Sequence, residues 1–175
     1  MADETGSNER LIASALGDDL SFLLARANAL SLAAGNAALS PHGLRVRSYS
    51  VLALAAADGA RPTQRELAEF LRLDPSQVVA LVDDLERTGL VARRPDQSDR
   101  RAKVVVVTDA GRDVFAAAQD AVRASEHAVH AFLDDSEHAR LAELLRRVAF
   151  PVASDHVLSD DAHRSLGTAH PSRHR

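Results

Sequence analysis

Residues 63–108, TQRELAEFLRLDPSQVVALVDDLERTGLVARRPDQSDRRAKVVVVT, decide the fold of this 175-residue chain. Thr63 stands three residues before Glu66, the spacing at which a hydroxyl and a carboxylate satisfy each other's backbone N–H groups in a capping box. Apolar residues then follow at helical spacing: Leu67, Phe70 and Leu71. This pattern predicts a short helix with one apolar side.

A second helix start follows after the three residues 71–73. Asp74 is suited to the N-cap, Pro75 to the first helical position where no N–H is missed, and Gln77 to completing another box. Its apolar stripe consists of Val78, Leu81, Val82 and Leu85. Gly89 tolerates the left-handed conformation of a C-cap and marks the end of the helix. Two short amphipathic helices with so tight a connection predict a helix-turn-helix.

The segment after Gly89 is too short for another helix and is rich in basic residues. Residues 91–94 and the β-branched run 104–107 read as two strands, joined by a charged loop over 95–101. Over residues 87–103, the cations Arg87, Arg93, Arg94, Arg100, Arg101 and Lys103 outnumber Asp96 and Asp99, which gives +4, whereas the whole chain carries −4. The sequence predicts a basic β-hairpin on an acidic protein.

A hairpin after a helix-turn-helix is the wing of a winged helix-turn-helix, in which the second helix lies in the major groove of DNA. Concentrated positive charge suits phosphate neutralisation and arginine insertion into a narrow minor groove. The alternative is a solvated charged loop without a partner.

These residues resemble the multiple antibiotic resistance regulator (MarR) family of bacterial transcription factors. The resemblance rests on ELAEFL, LVDDLERTGLV, SDRRAKVVVVT and the following residues 109–111, and helix order extends it to about residues 14–150. It implies that Asp99 orients Arg101, with Arg100 beside it, for insertion into the minor groove. The sequence departs from the commoner pattern at Asp84, an acidic residue where relatives are often basic.

The resemblance also implies that Ser76 and Gln77 reach the base edges, where Gln77 suits adenine and Val79 a thymine methyl. The predicted DNA-binding residues are Thr63, Gln64, Arg65, Pro75, Ser76, Gln77, Val79, Ala80, Arg93, Arg94, Asp99, Arg100, Arg101 and Lys103. The alternative for Ser76 and Gln77 is that they only cap their helix.

Helical periodicity outside this region predicts segments at about 16–38, 44–57, 109–133 and 136–150. The predicted organisation is a disordered tail over 1–10, dimerisation and bridging helices over 11–57, the winged helix-turn-helix over 58–108, dimerisation helices over 109–150 and a mostly disordered tail over 151–175. The fold class is mainly α with a small β-hairpin. A second copy of the chain is the simplest cover for the terminal apolar stripes, and a two-fold dimer demands an inverted-repeat operator.

Arg45 and Tyr49 stand near the start of the bridging helix, where family members often bind an anionic aromatic effector. A guanidinium beside a phenol suits a carboxylate or phenolate. The predicted effector-binding residues are His42, Arg45, Tyr49 and Leu52. The same arginine is also suited to binding DNA phosphate.

Metal and enzyme chemistry are disfavoured by the motifs. His127 and His130 share a helix face beside Glu126, but the zinc-sensing branch of the family usually spaces its histidines by four. The chain has no Gly-x-Ser-x-Gly elbow, no His-Glu-x-x-His and no glycine-rich phosphate loop after a strand. We therefore expect no metal, no cofactor and no catalysis.

Composition suits an intracellular helical protein. Hydrophobic residues make up 46% of the chain but aromatic residues only 3%, and cysteine is absent. No apolar run is seen to approach the ~20 residues that span a bilayer, so a cytoplasmic protein without membrane contact is expected. The predicted function is a homodimeric repressor of a pseudo-palindromic promoter site, relieved by a small anionic or aromatic effector. The alternatives are a regulator without a ligand and a winged-helix protein that pairs with another regulator.

Overall fold

The structure, a computed structural model, describes residues 16–96, 99 and 101–151. In chain order its elements are α1 (Leu20–Leu39), a short 3-10 helix (Ser40–His42), α2 (Val46–Ala56), α3 (Gln64–Leu71), α4 (Pro75–Arg87), β1 (Val91–Pro95), β2 (Lys103–Val107), α5 (Asp109–Val129) and α6 (Asp135–Ala149). The mainly helical fold with a two-stranded hairpin is confirmed. The predicted tail over 1–10 and the rest of the predicted tail after Pro151 lie outside the described residues.

Both predicted capping boxes are present. The Glu66 carboxylate accepts the Thr63 backbone N–H at 2.7 Å, and the Thr63 hydroxyl accepts the Glu66 N–H at 3.2 Å. At α4, the Gln77 side-chain oxygen accepts the Asp74 N–H at 3.3 Å. These local bonds satisfy N–H groups that a helix leaves open at its start, so α3 and α4 begin at the predicted residues.

The turn between α3 and α4 is closed by a left-handed residue that is not glycine. Arg72 has φ 54°, and the backbone N–H of Leu73 reaches back to the Ala68 carbonyl at 3.1 Å. This is the hydrogen-bonding pattern of a helix C-cap, and it turns the chain sharply into Asp74. The geometry of the helix-turn-helix therefore rests on one strained backbone position.

The wing is an antiparallel pair in which Arg93 lies opposite Val105 and Arg94 opposite Val104. The segment before α3 extends the sheet on the other side of β2, because the Val105 N–H donates to the Pro62 carbonyl at 2.8 Å. Since residues alternate between faces, Arg93 and Val105 share the face that meets α4, and Arg94 lies on the other.

The core is formed where α2, α3, α4, the wing and α5 meet. Its buried residues are Leu39, Leu44, Val51, Leu52, Ala55, Leu67, Ala68, Val78, Val82, Leu85, Val91, Val105 and Ala118. The predicted apolar stripe of α4 is confirmed at Val78, Val82 and Leu85. Phe70 belongs to the predicted apolar side of α3 and lies about 60° around the helix from the buried Leu67. Its side chain is nevertheless 55% exposed.

Helix α5 packs along α1 and begins directly against the wing. A β-carbon at Gly111 would lie 2.0 Å from the Leu90 carbonyl oxygen, so only glycine fits this crossing. The N–H of Gly111 is also bound by the hydroxyl of Thr108, the N-cap, at 3.0 Å. The start of α5 is thereby fixed to the end of the hairpin.

The chain divides into two compact units, the first ending at Phe132 and the second beginning at Leu133. The second contains α6, which is capped by Asp134 through the backbone N–H groups of Ser136 and Glu137 at 2.8 and 2.9 Å. Both units carry exposed apolar side chains: Leu16, Leu20, Phe22, Leu23 and Leu30 in the first, and Leu141, Leu144, Leu145 and Val148 on α6.

The segment Leu20–His42 is long and apolar enough to cross a membrane, judged by length and composition alone. Its mean hydropathy reaches 1.2, and only 6% of the apolar window is buried within the chain. The expectation that no apolar run approaches this length is therefore wrong, because α1 carries Arg26 as its one charged residue. Its contact with α5 shows that this helix also serves as a packing surface in the first unit.

Candidate DNA-binding interface and effector cavity

The first two turns of α4 present a continuous exposed surface. Val78 points into the core with no exposed area, whereas Val79 is 44% exposed. The exposed residues of this surface are Pro75, Ser76, Gln77, Val79 and Ala80. Its mixture of a hydroxyl, an amide and small apolar groups matches what base edges offer in a major groove.

Ser76 and Gln77 also cap the helix that carries them. The Ser76 hydroxyl donates to the Asp74 carboxylate at 2.5 Å, and the Ser76 backbone N–H donates to the same oxygen at 2.8 Å. These bonds lower the pKa of Asp74, the hydroxyl contributing most. Capping holds both side chains at the exposed end of α4, so capping and base contact are compatible roles.

The predicted DNA-binding residues at the start of α3 have different surroundings. Thr63 is engaged in its capping box with Glu66, whose pKa is lowered by the Thr63 backbone N–H and then by the hydroxyl. Arg65 is exposed and pairs with Glu69 at 2.9 Å. Gln64 turns inward, and its buried Nε2 has no hydrogen-bond partner among the residues that the structure describes.

Arg93 joins the wing to α4. Its guanidinium contacts the carboxylates of Asp83 and Glu86, each at 2.5 Å. Its Nε donates to the Gln64 side-chain oxygen at 3.1 Å, and only 17% of the Arg93 side chain is exposed. Both side chains are engaged in contacts within the domain, and the expectation that Arg93 and Gln64 face DNA stays a prediction.

The wing tip is organised by aspartates. Asp99 accepts the backbone N–H of Arg101 at 2.9 Å, and Asp96 accepts the backbone N–H of Asp99 at 3.0 Å. Asp99 thus holds the main chain of Arg101, the residue that the family resemblance implies it orients. Arg101 and Lys103 are exposed, and Arg100 lies outside the described residues.

A cavity of about 310 Å³ lies between α1, α2 and α5. Its lining comprises Asn28, Ser31, Leu32, Gly35, Leu39, Val46, Tyr49, Ser50, Val122, Ser125, Glu126, Val129 and His130. Tyr49 stacks on Phe115 with ring centroids 5.6 Å apart. Burial, followed by the nearby charge of Glu126, raises the pKa of Tyr49, so its phenol is neutral at physiological pH.

The four predicted effector residues do not share one cavity. Tyr49 lines the 310 Å³ cavity, Arg45 lines a neighbouring cavity of about 520 Å³, and Leu52 is fully buried in the core. His42 belongs to the lining of neither. The expectation for Leu52 is corrected because it packs inward, on the side of α2 that meets the core.

The two cavities adjoin one another. Leu32 and Val46 belong to the lining of both, while Arg45 and Arg47 belong only to the larger one. Sequence reasoning missed the α5 side of the smaller cavity, residues 122–130, because only the fold brings α5 beside α2. His130 is part of that lining, and the described residues contain no group of three or more His, Cys, Asp or Glu side chains placed to hold a metal.

Comparison with known proteins connects this geometry to a family. The model of the MarR family matches residues 42–102. A crystal structure of a MarR-family transcriptional regulator from Rhodococcus sp. RHA1 is 42% identical, with a TM-score of 0.75, and the match covers 80% of this chain and 99% of that one.

CouR from Rhodococcus jostii RHA1, solved with p-coumaroyl-CoA bound, is 43% identical with a TM-score of 0.73 over 82% of this chain and 100% of that one. A transcriptional repressor also named CouR, solved on a 23-mer DNA duplex, is 30% identical with a TM-score of 0.71 over 77% and 94%. The chain spans about half the length of the curated relatives it matches. On the identity and nearly full coverage of the Rhodococcus regulators, this chain belongs to the MarR family of winged helix-turn-helix transcriptional regulators, which are not enzymes.

Proposed function

We propose that this DNA-binding regulator acts in the cytoplasm as a homodimeric repressor of an inverted-repeat promoter site and is released by an aromatic effector. The observation that carries the proposal is the exposed polar start of α4 beside a basic wing tip, in a chain that also encloses a 310 Å³ cavity. The repressor solved on a DNA duplex supports the first part, and the relative solved with p-coumaroyl-CoA supports the second.

In the proposed complex, α4 enters the major groove and the wing follows the backbone into the minor groove. Gln77 forms hydrogen bonds with an adenine, and the Val79 side chain contacts a thymine methyl. Arg101 enters the minor groove from a tip whose main chain is held by Asp99. Arg65 and Lys103 contact backbone phosphates.

Asp84, which is acidic where members of the family are often basic, carries its own counter-ion. Arg87 pairs with it at 3.0 Å, and both side chains are more than 70% exposed. The pair lies in the last turn of α4, away from the capped end that meets the bases. Its charge is therefore compatible with binding of the first two turns to DNA.

The proposed dimer is supported by unpartnered apolar side chains. Leu20 and Leu30 on α1 are 68% and 56% exposed, and Val148 on α6 is 63% exposed. Large apolar side chains left in water favour association, and a second copy would cover them. Two-fold symmetry would set the recognition helices one turn of DNA apart, ~34 Å.

For the effector, the aromatic group would occupy the cavity beside Tyr49, whose neutral phenol can donate a hydrogen bond. An anionic portion would extend past Leu32 and Val46 toward Arg45 and Arg47. A ligand releases DNA only to the extent that it binds the DNA-incompetent conformation more tightly. p-Coumaroyl-CoA, the ligand of one relative, is the first probe.

The test is fluorescence anisotropy with the DNA upstream of the protein's own gene, against a scrambled duplex, at several salt concentrations. Specific binding that weakens steeply with salt and is reversed by p-coumaroyl-CoA or a simpler aromatic acid supports the proposal. A Ser50→Leu variant, which fills the cavity, should still bind DNA but should no longer respond to the effector. Binding without sequence preference would contradict the DNA assignment.

A further inference from the structure

The outer face of the wing, opposite α4, borders a cavity of about 380 Å³. Its lining comprises Ala55, Ala57, Asp58, Gly59, Ala60, Arg61, Arg94, Val106, Val107 and Arg112. None of these residues lines the 310 Å³ cavity beside Tyr49, called here the aromatic cavity, or belongs to the exposed surface of α4. The wing therefore has a second concave surface, in which Arg94 is the one residue predicted above to bind DNA.

Three separate elements supply the arginines of this outer wing cavity. Arg61 lies in the loop before α3, Arg94 in β1 and Arg112 in the first turn of α5. Sheet register explains the position of Arg94. It lies opposite Val104 and therefore on the face that also carries Val106, which lines the cavity.

No ion pair neutralises these three arginines within the described residues, a state that they share with several other arginines of the chain. Arg65, Arg87, Arg93 and Arg140 each form an ion pair within the described residues. Arg61, Arg94 and Arg112 form none there, although the protein as a whole carries −4. They are exposed, and Asp58 is the one carboxylate in the cavity lining.

Like charges gathered in one concavity repel each other, and an anion relieves that repulsion. Guanidinium groups bind phosphate through paired N–H donors, which makes arginine the preferred side chain for this ligand. The remaining walls are alanine, glycine and valine, so the cavity offers no aromatic surface for stacking a ring. The lining of the cavity thus favours a negatively charged ligand group over an aromatic one.

We propose that the outer wing cavity binds a phosphate group through Arg61, Arg94 and Arg112. The phosphate belongs either to the DNA backbone outside the half-site or to a small phosphorylated metabolite. In the first case the cavity lengthens the contacted DNA, and in the second it is a ligand site separate from the aromatic cavity. Both sources present the same tetrahedral anion to the same three guanidinium groups.

The first arm of the test measures binding of inorganic pyrophosphate to the full chain by isothermal titration calorimetry in a low-salt, phosphate-free buffer. Arg61→Ser and Arg112→Ser should each weaken binding at least about tenfold, since each removes a charged partner. Arg140→Ser removes an exposed arginine elsewhere and is the matched control. Thermal melting verifies that each variant is folded.

The second arm measures the salt dependence of binding to a long and a trimmed duplex of the same upstream DNA. If the phosphate is the DNA's, Arg112→Ser lowers the salt slope on the long duplex by about one per contact and leaves the trimmed duplex unchanged. Pyrophosphate binding without that change assigns a metabolite. The proposal is overturned if folded Arg61→Ser and Arg112→Ser proteins match the parent in both arms.

Discussion

Arg93 binds Glu86 twice, through its backbone N–H at 2.9 Å and through its guanidinium at 2.5 Å. The first bond fixes the main chain of β1, and the second fixes the side chain that also reaches Asp83 and Gln64. One arginine thus links the wing to both helices of the helix-turn-helix. Since the proposed complex places the wing and α4 in adjacent grooves, their relative position should matter for binding.

Arg93→Ala should therefore weaken DNA binding although Arg93 makes no DNA contact in our proposal. Removing it leaves the partly exposed Asp83 and Glu86 to water and should lower the free energy of unfolding by about 1 kcal/mol at most. Anisotropy should show several-fold weaker binding with an unchanged salt slope, because no phosphate contact is lost. Arg140→Ala is the control, and a reduced slope in Arg93→Ala would argue for direct contact instead.

Acid should destabilise the fold by protonating carboxylates that accept hydrogen bonds. The pKa of Glu66 lies below its ordinary 4.5 because of its bonds to Thr63, and that of Glu86 lies below it because of its bonds to Arg93. A lowered folded-state pKa gives stability that is fully present above the ordinary value and is lost as the pH falls through the lowered one. Melting temperature should thus drop steeply below about pH 4.5.

Glu66→Gln is the variant that checks this acid effect. Glutamine keeps an oxygen for the capping box but does not titrate, so the variant should lose less stability than the parent between neutral and acidic pH. If the melting temperature falls equally in parent and variant across that pH range, Glu66 is not one of the groups that cause the acid destabilisation.

Gly111→Ala should disrupt the junction of the wing and α5. The added β-carbon would lie 2.0 Å from the Leu90 carbonyl oxygen, an atom of the backbone that cannot rotate away. We expect destabilisation of about 3 kcal/mol, measured by chemical denaturation. Ala110→Ser, at the exposed neighbouring position, should change stability little; equal stability of the two variants would place Gly111 in a looser crossing.

Substitutions of Gln77 and Arg101 should affect DNA binding differently, because Gln77 is proposed to contact a base and Arg101 to enter the minor groove. Gln77→Ala removes the amide that pairs with adenine without adding charge, so it should relax the base preference at one position in each half-site. Arg101→Ala should weaken binding to all sites with AT-rich flanks. Anisotropy across a panel of single-base operator variants distinguishes these results, and a uniform loss for Gln77→Ala would count against base contact.

Local sequence signals predicted the first residues of α3 and α4 correctly. Features that depend on tertiary packing were predicted less completely. A capping box is complete within four residues, so Thr63 and Asp74 were correctly identified as N-caps. The first helix was expected near residue 16 but begins at Leu20, where Asp19 accepts the Phe22 N–H at 2.7 Å.

Side-chain direction was harder to predict than helix position. Arg93 turns inward because it contacts Asp83 and Glu86, which lie 10 or fewer residues away in sequence but on another element. Gln64 turns inward because it pairs with Arg93, 29 residues away in sequence. The sequence alone does not distinguish a basic wing residue that faces solvent from one that faces a carboxylate. The 310 Å³ cavity, our proposed effector site, was incompletely predicted for the same reason, since α5 completes it.

The adjacent positions of Arg93 and Arg94 have a consequence for how the hairpin can change in evolution. A strand presents successive side chains to opposite faces, so inserting or deleting a single residue early in β1 would exchange the surroundings of the two arginines. After an insertion, Ala92 would face the carboxylates of α4 in place of Arg93; after a deletion, Pro95 would take the outer position of Arg94 and the outer face would lose its cation. Substitutions can alter this wing gradually, but a change of its length by one residue cannot be neutral.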